Sequence, residues 1–73
     1  MKIFGKINSY NGVYGKITGE DGIKYILLDT NIVDDYINDI DTNKEVEFEP
    51  DFIKTDEYDT HIARFVKVIE KRP

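Results

Sequence analysis

The chain has 73 residues and a net charge of −5, from 15 acidic and 10 basic side chains, and it has no cysteine. This length predicts one small domain over residues 1–73, and the lack of cysteine excludes disulfides, thiolate metal sites and a cysteine nucleophile. No signal-peptide pattern follows the first residues, and the longest apolar run, residues 26–28, is too short to cross a bilayer. We therefore expect a cytoplasmic protein, monomeric by default.

Charge is distributed unevenly along the chain. Residues 1–28 have a net charge of +2 (four lysines, two acids), and residues 29–59 have a net charge of −10 (two lysines, twelve acids). Residues 60–73 have a net charge of +3 (four basic residues, one acid). An acidic chain is unsuited to tight nucleic-acid binding, because that affinity depends on Lys and Arg. Two interpretations stay open: acidic loops that keep the protein soluble, or a bipolar surface with a basic face and an acidic flank.

The first part of the chain alternates with the period of β-strands. Odd and even positions of residues 3–10 are expected on opposite faces of a first strand. Asn11-Gly12 predicts a type I′ hairpin turn, because both residues tolerate positive φ. Residues 13–18 alternate again, a glycine-bounded turn covers 19–22, and residues 23–28 are apolar and β-branched enough for a third strand.

The pattern changes after the third strand. Apolar residues over 30–40 recur at the spacing of one face of a short helix. Residues 44–49 return to strict alternation, and Pro50 is expected to end that strand or to leave it at a sheet edge. Residues 51–60 are predicted to be a polar, acidic connection. Residues 61–69 alternate and predict the last strand.

The element order is three strands, a short helix and two strands. Five strands with a helix between the third and the fourth are the element order of an OB-fold. Closing the sheet buries one face of each strand without leaving long edges, which suits a small core. A small SH3-like barrel fits the strands nearly as well, but the helix favours the other fold. We predict an all-β, five-stranded OB-fold Greek-key barrel with a short helix between strands 3 and 4.

The chain resembles the bacterial cold-shock domain over residues 3–69. That family opens with G-x-V-K-W-F-N, and residues 5–11 here are GKINSYN. Its next motif is K-G-F-G-F-I, in whose place residues 12–17 are GVYGKI. A later motif is V-F-V-H-F, where residues 25–29 here are YILLD. Residues 44–49 are similar to the family's K-V-x-F fourth strand.

The resemblance implies that aromatic side chains on the outer face of strands 1–3 stack unpaired bases beside a positive groove. Most of those aromatic positions are changed here, to Ser9, Lys16, Ile26, Leu28 and Asp29. Tyr14 keeps a stacking position, and Tyr10 is expected beside it on the facing strand. Stacking is worth about 1–3 kcal/mol per base. We therefore expect weak, low-specificity binding of single-stranded RNA or DNA.

The expected nucleic-acid-binding residues are Tyr10, Tyr14, Lys6, Lys16 and Lys24. The tyrosines would stack bases and the lysines would contact phosphate. The alternative is an ordinary cross-strand tyrosine pair with solvated lysines, on a barrel that has lost nucleic-acid binding.

That alternative protein would be a protein-interaction module. Its contact surface would be an apolar patch formed by Tyr14, Ile26 and Leu28, or the acidic flank over 34–59. An acidic flank of this kind would act as an inhibitor that mimics a phosphate backbone.

No catalytic or metal site is predicted. The acidic residues between 34 and 51 do not have the glycine and glutamate spacing of an EF-hand loop, so a solvated acidic face is favoured. His61 has no Cys, Ser or second His at a meaningful spacing, and we expect it to be a surface strand residue. We therefore expect a non-enzymatic protein without a cofactor.

Overall fold

The computed structural model describes residues 1–69, and these form a closed five-stranded β-barrel. The strands are β1 (Ile3–Tyr10), β2 (Tyr14–Gly19), β3 (Lys24–Leu28), β4 (Glu45–Lys54) and β5 (Asp59–Val68). Their order around the barrel is β1-β2-β3-β5-β4, and β4 pairs with β1 to close it. The predicted all-β barrel is confirmed, and its arrangement is consistent with an OB-fold. Residues 70–73 of the predicted domain lie outside the described residues.

The core lies inside the barrel and takes side chains from all five strands and from Ile32 in the segment between β3 and β4. Its buried side chains are Ile7, Ile17, Tyr25, Leu27, Ile32, Val46, Phe48, Ala63 and Val66. Val46 and Phe48 are fully buried, as the alternation over 44–49 predicts. Each strand therefore buries one face, and its other face is left for solvent or for a ligand.

The turn between β1 and β2 lies where Asn11-Gly12 predicts it, but it is not of type I′. The side-chain oxygen of Asn11 accepts hydrogen bonds from the backbone N–H groups of Val13 and Tyr14, at 2.9 and 2.8 Å. Of residues 11–13, Gly12 alone has a positive φ, of 98°. Type I′ needs two such residues, so the asparagine stabilises this turn through its side chain instead.

A β-bulge interrupts the alternation of β1. Ile7 lies opposite Ile17, and the register then shifts so that Ser9 lies opposite Lys16 and Tyr10 opposite Gly15. Gly15 is required here, since a Cβ at this position would overlap the carbonyl oxygen of Ser9. The bulge moves Ser9 and Tyr10 to the opposite faces from those that the sequence predicts.

Strand β4 continues past Pro50, and the predicted connection over 51–60 is wrong. Pairing runs from Pro50 opposite Ala63 to Lys54 opposite Asp59. Proline is tolerated because β1 pairs only with residues 45–48 of β4, so Pro50 lies on a free edge that needs no N–H donor. We call residues 51–60 the arm. It extends a molecule whose dimensions are 45 × 24 × 19 Å.

A second bulge lies in β5, opposite Phe48. The register shifts between Glu47, which faces Lys67, and Glu49, which faces Arg64. Phe65 is the extra residue; its φ is +52° and its side chain is 59% exposed. The strict alternation predicted over 61–69 is therefore wrong, because the bulge returns Val66 to the core.

The helix predicted over 30–40 is present only as two single 3-10 turns, at Asp29–Asn31 and Asp34–Tyr36. Between them Ile32 is buried and forms a bridge with Val66, and the N–H of Val33 donates to the Val66 carbonyl at 3.0 Å. This bridge holds Val33 in an extended conformation, which a continuous helix does not allow. No helix in residues 1–69 is long and apolar enough to span a membrane.

Candidate nucleic-acid interface

The outer face of strands β1–β3 brings most of the predicted binding residues together. Tyr14 lies opposite Leu28, and Lys16 opposite Ile26. Thr18 lies opposite both Lys6 on β1 and Lys24 on β3. Directly paired residues project to the same side of a sheet. The predicted residues on this outer face are therefore Lys6, Tyr14, Lys16, Lys24, Ile26 and Leu28.

Tyr10 does not lie beside Tyr14. The β1 bulge pairs Tyr10 with Gly15, which is buried, and the Tyr10 ring packs against the barrel core. Burial raises the pKa of the Tyr10 hydroxyl, and the negative charge of Asp29 raises it further. The expectation that the two tyrosines share one surface is wrong, so Tyr14 is left as the stacking group of this face.

A groove of about 240 Å³ lies between this face and the start of β5. The pairing of β3 with β5 joins Ile26 to Ile62, and the groove lies beside this point, toward the starts of both strands. Its lining residues are Tyr14, Lys16, Lys24, Tyr25, Ile26, Asp59, Thr60 and His61. We call this set the groove. It combines an aromatic ring, two cations and hydrogen-bonding groups in one concave surface.

The apolar patch expected for a protein partner is only partly open. The Tyr14 side chain is 42% exposed, whereas Ile26 and Leu28 are half-buried. An exposed tyrosine beside two half-buried aliphatic residues is a small apolar surface. The accessible part of this face is thus the tyrosine ring with its lysines.

An aromatic cluster connects the barrel to the arm at the floor of the groove. The Tyr25 ring meets the Phe48 and His61 rings edge-on, with centroid distances of 4.9 and 5.6 Å. The His61 and Phe52 rings lie 4.7 Å apart. His61 is in a strand, as predicted, but it is half-buried between the Tyr25 and Phe52 rings rather than solvated. The cluster fixes the first residues of β5 against the barrel.

The Tyr25 hydroxyl donates a hydrogen bond to a carboxylate oxygen of Asp21 at 2.6 Å. Burial, together with this bond, raises the pKa of Tyr25 to about 12. The same bond, and the backbone N–H of Ile23, lower the pKa of Asp21. The pair ties the turn after β2 to the floor of the groove, next to Lys24.

The two lysines of the groove, Lys16 and Lys24, take part in none of the ion pairs found within residues 1–69. Within residues 1–69, the ion pairs join Lys2 to Glu47, the N-terminal amine to Glu49 and Arg64 to Asp51. The Arg64 guanidinium lowers the pKa of Asp51 through a 2.6 Å hydrogen bond. All of these pairs involve β4, and none involves a lysine of the groove. Lys16 and Lys24 lie on strands that do not pair with β4, whereas Lys6 lies directly opposite Glu45 of β4.

Four residues of the groove were not expected there: Tyr25, Asp59, Thr60 and His61. The last strand is predicted to start at His61. Asp59 and Thr60 were therefore expected in the connection before it. The signal that identifies them is the spacing of Thr60 and Ile62, two β-branched residues on one face of a longer strand. Tyr25 is buried as its alternation predicts, and only its edge reaches the groove.

The described residues 1–69 contain no group of three His, Cys, Asp or Glu side chains placed to hold a metal ion. The chain matches no protein-family model, and no curated protein is significantly similar to it. The fold is thus that of a small closed barrel consistent with an OB-fold, and a finer family assignment rests on the motifs in the sequence.

Proposed function

We propose that this protein is a divergent cold-shock-like domain that binds single-stranded RNA or DNA weakly, without catalysing a reaction. One observation carries the proposal: an exposed aromatic ring, Tyr14, borders Lys16 and Lys24 along a groove on the outer face of the barrel. Binding of single strands uses this combination, since every base has a π-face that can stack and every nucleotide has a phosphate that a cation can neutralise.

In this mechanism a base stacks on Tyr14 while its flanking phosphates approach Lys16 and Lys24. Lys6 lies on the same face and continues the basic track toward β1. Each neutralised phosphate of a single strand contributes about −0.7 to the slope of log K against log salt, so Lys16 and Lys24 together give a slope of about −1.4, and Lys6, with Glu45 opposite it, adds less than one full contact. The acidic remainder of the chain repels the rest of the strand. The result is a short, weak and salt-sensitive contact.

The test is a titration of fluorescently labelled single-stranded oligonucleotides, first at low salt and then at physiological salt. Tyr14→Ala should weaken binding about fivefold or more, because one stacked base is worth about 1–3 kcal/mol. The matched control is Tyr58→Ala, which removes a tyrosine that is 63% exposed and does not line the groove. Absence of binding at low salt would refute the function. Equal losses in the two variants would refute stacking on Tyr14.

A second candidate function is supported by the arm. Phe52, Ile53 and Tyr58 are 48, 40 and 63% exposed on a segment that also carries four acids and one lysine. Exposed aromatic residues among acidic ones suit a protein partner with a basic surface. This candidate gains support if oligonucleotides fail to bind at low salt and if Tyr58→Ala, but not Tyr14→Ala, weakens binding to a basic protein.

A further inference from the structure

Asp59 is an unusual member of a groove that meets phosphate. Asp59 lines the groove together with Lys16 and Lys24. Within residues 1–69 it forms no salt bridge or side-chain hydrogen bond with either lysine. Its side chain is exposed, so its acceptor oxygens are available to a ligand. A carboxylate in this position opposes a phosphate and favours a hydrogen-bond donor.

The size of the groove indicates which part of a nucleotide it holds. Its volume of about 240 Å³ is below the roughly 300–1,000 Å³ of pockets for drug-sized molecules. It is therefore suited to one flat ring at a time. Tyr14 and Ile26 offer the apolar surface for the face of such a ring, and Asp59, at the start of β5, is the acidic residue of the lining that can meet its edge.

Single-stranded bases are recognised by stacking together with hydrogen bonds to their free edges. A carboxylate accepts from an exocyclic amino group, as Asp and Glu do with the N4 amine of cytosine. Thymine and uracil carry a carbonyl oxygen in place of that amine, and their one donor on this edge, N3–H, lies between two carbonyl oxygens that a carboxylate repels. The charge of Asp59 thus separates bases by the sign of the dipole at their edge.

We propose that Asp59 makes the groove prefer bases that carry an exocyclic amine over thymine and uracil, by accepting a hydrogen bond from that amine. This inference rests on the proposed function, since the base must first stack in the groove. It adds a base preference to a contact whose affinity otherwise depends only on phosphate binding and base stacking. Lys16 and Lys24 hold the phosphates on either side of the base.

The experiment compares labelled oligo-dC and oligo-dT of equal length, by fluorescence anisotropy at low salt and neutral pH. The wild-type protein should bind oligo-dC about tenfold more tightly, the discrimination expected of one good base-edge contact. Asp59→Asn keeps the shape of the side chain but removes its charge and adds a donor. It should strengthen oligo-dT binding and reduce the preference to about twofold or less.

The matched control is Asp56→Asn, which removes the same charge from the tip of the same arm, outside the groove. It should leave the ratio of the two affinities unchanged. Equal wild-type affinities for the two oligonucleotides, or an Asp59→Asn variant that keeps the full preference, overturn the inference and leave the proposed function intact. If wild-type protein binds neither oligonucleotide, the proposed function fails and the inference fails with it.

Discussion

The two walls of the groove are built differently. The wall that carries Tyr14 and Lys16 belongs to β2 and β3, which pair with each other along their length and bury Ile17 and Leu27 on their other face. The opposite wall carries Asp59 and Thr60 at the junction of the arm and β5. In the arm, the end of β4 and the start of β5 pair only with each other, because β1 pairs with β4 no further than Phe48.

The two walls therefore differ in local stability as well as in the chemical groups that they carry. The stacking ring and the cations are on the rigid side, where displacing them requires opening the barrel. Asp59 lies on the arm, which extends away from the barrel. The arm is held to the barrel through the contacts of the His61 ring with the Tyr25 and Phe52 rings. Regions with fewer buried contacts open more readily than the core. We therefore expect the arm to loosen without unfolding the barrel.

The largest expected effect comes from Phe48→Ala, which removes a core side chain that supports Tyr25 beneath the groove. Phe48 is fully buried and its ring meets Tyr25. Such a substitution costs about 3–5 kcal/mol, a large part of the total stability of a small domain. Thermal denaturation should show a strongly lowered midpoint, and hydrogen exchange should show that both walls lose protection together.

The control for that experiment is Phe52→Ala on the same strand. Phe52 is 48% exposed, so its loss should cost about 1 kcal/mol and should expose amides in the arm alone. If the Phe48→Ala protein were no less stable than the Phe52→Ala protein, the proposed difference in stability between the wall on β2 and β3 (the barrel wall) and the wall on the arm would be contradicted.

The barrel wall could be predicted from the sequence because its alternation is unbroken. From Tyr14 to Leu28 the inward and outward residues follow strict period two, with one glycine-bounded turn between the strands. Such a pattern determines the face of every residue once the strands pair. This is why Tyr14, Lys16 and Lys24 lie on one face as expected.

The rest could not be predicted because it depends on contacts distant in sequence. The bulge that turns Tyr10 inward is accommodated by Gly15, and a bulge of one residue reverses every face after it. Whether Pro50 ends a strand depends on which strand lies at its free edge, and β1 stops before reaching it. The helix pattern over 30–40 is likewise overridden by the bridge between Ile32 and Val66.

A smaller effect is expected from Tyr25→Phe, which keeps the ring that joins the walls and removes only the hydrogen bond to Asp21. The bond involves a carboxylate and a tyrosine that is 3% exposed, so its loss should cost about 1–2 kcal/mol. Urea unfolding at neutral pH measures this. Tyr58→Phe, which removes an exposed hydroxyl from the arm, should leave stability unchanged.

The same pair predicts a pH dependence. The pKa of Tyr25 rises from 10.0 to about 12 on folding, so its contribution is complete below pH 10 and is lost as the pH rises toward 12. The pKa of Asp21 is lowered from 3.8, so its contribution is present above that value and is lost as the pH falls through the folded pKa. The stability gap between wild type and Tyr25→Phe should therefore narrow at both extremes. A gap that stays constant from pH 10 to 12 would show that the hydroxyl is not held in this way.

The smallest effect is expected at the tip of the arm, where it tests the independence of the two walls most directly. The Thr55 hydroxyl donates to the Tyr58 carbonyl at 2.8 Å and accepts from the Tyr58 N–H at 3.1 Å. Thr55→Ala should cost about 1 kcal/mol, and because the tip is exposed this loss should fall on the arm alone. Hydrogen exchange should accelerate over 51–60 while the denaturation midpoint barely moves. If Asp59 selects the base, the preference for oligo-dC should fall in parallel, since the carboxylate is then less well positioned.

Thr42→Ala is the matched control, because in the described part of the chain the Thr42 hydroxyl makes no hydrogen bond and the residue lies in an exposed loop before β4. It should leave both exchange and base preference unchanged. Acceleration of exchange in β2 and β3 by Thr55→Ala would mean that the arm and the barrel open as one unit. The segments that carry Tyr14 and Asp59 would then have the same free energy of local opening. A substitution at the tip would in that case weaken binding to oligo-dC and oligo-dT alike.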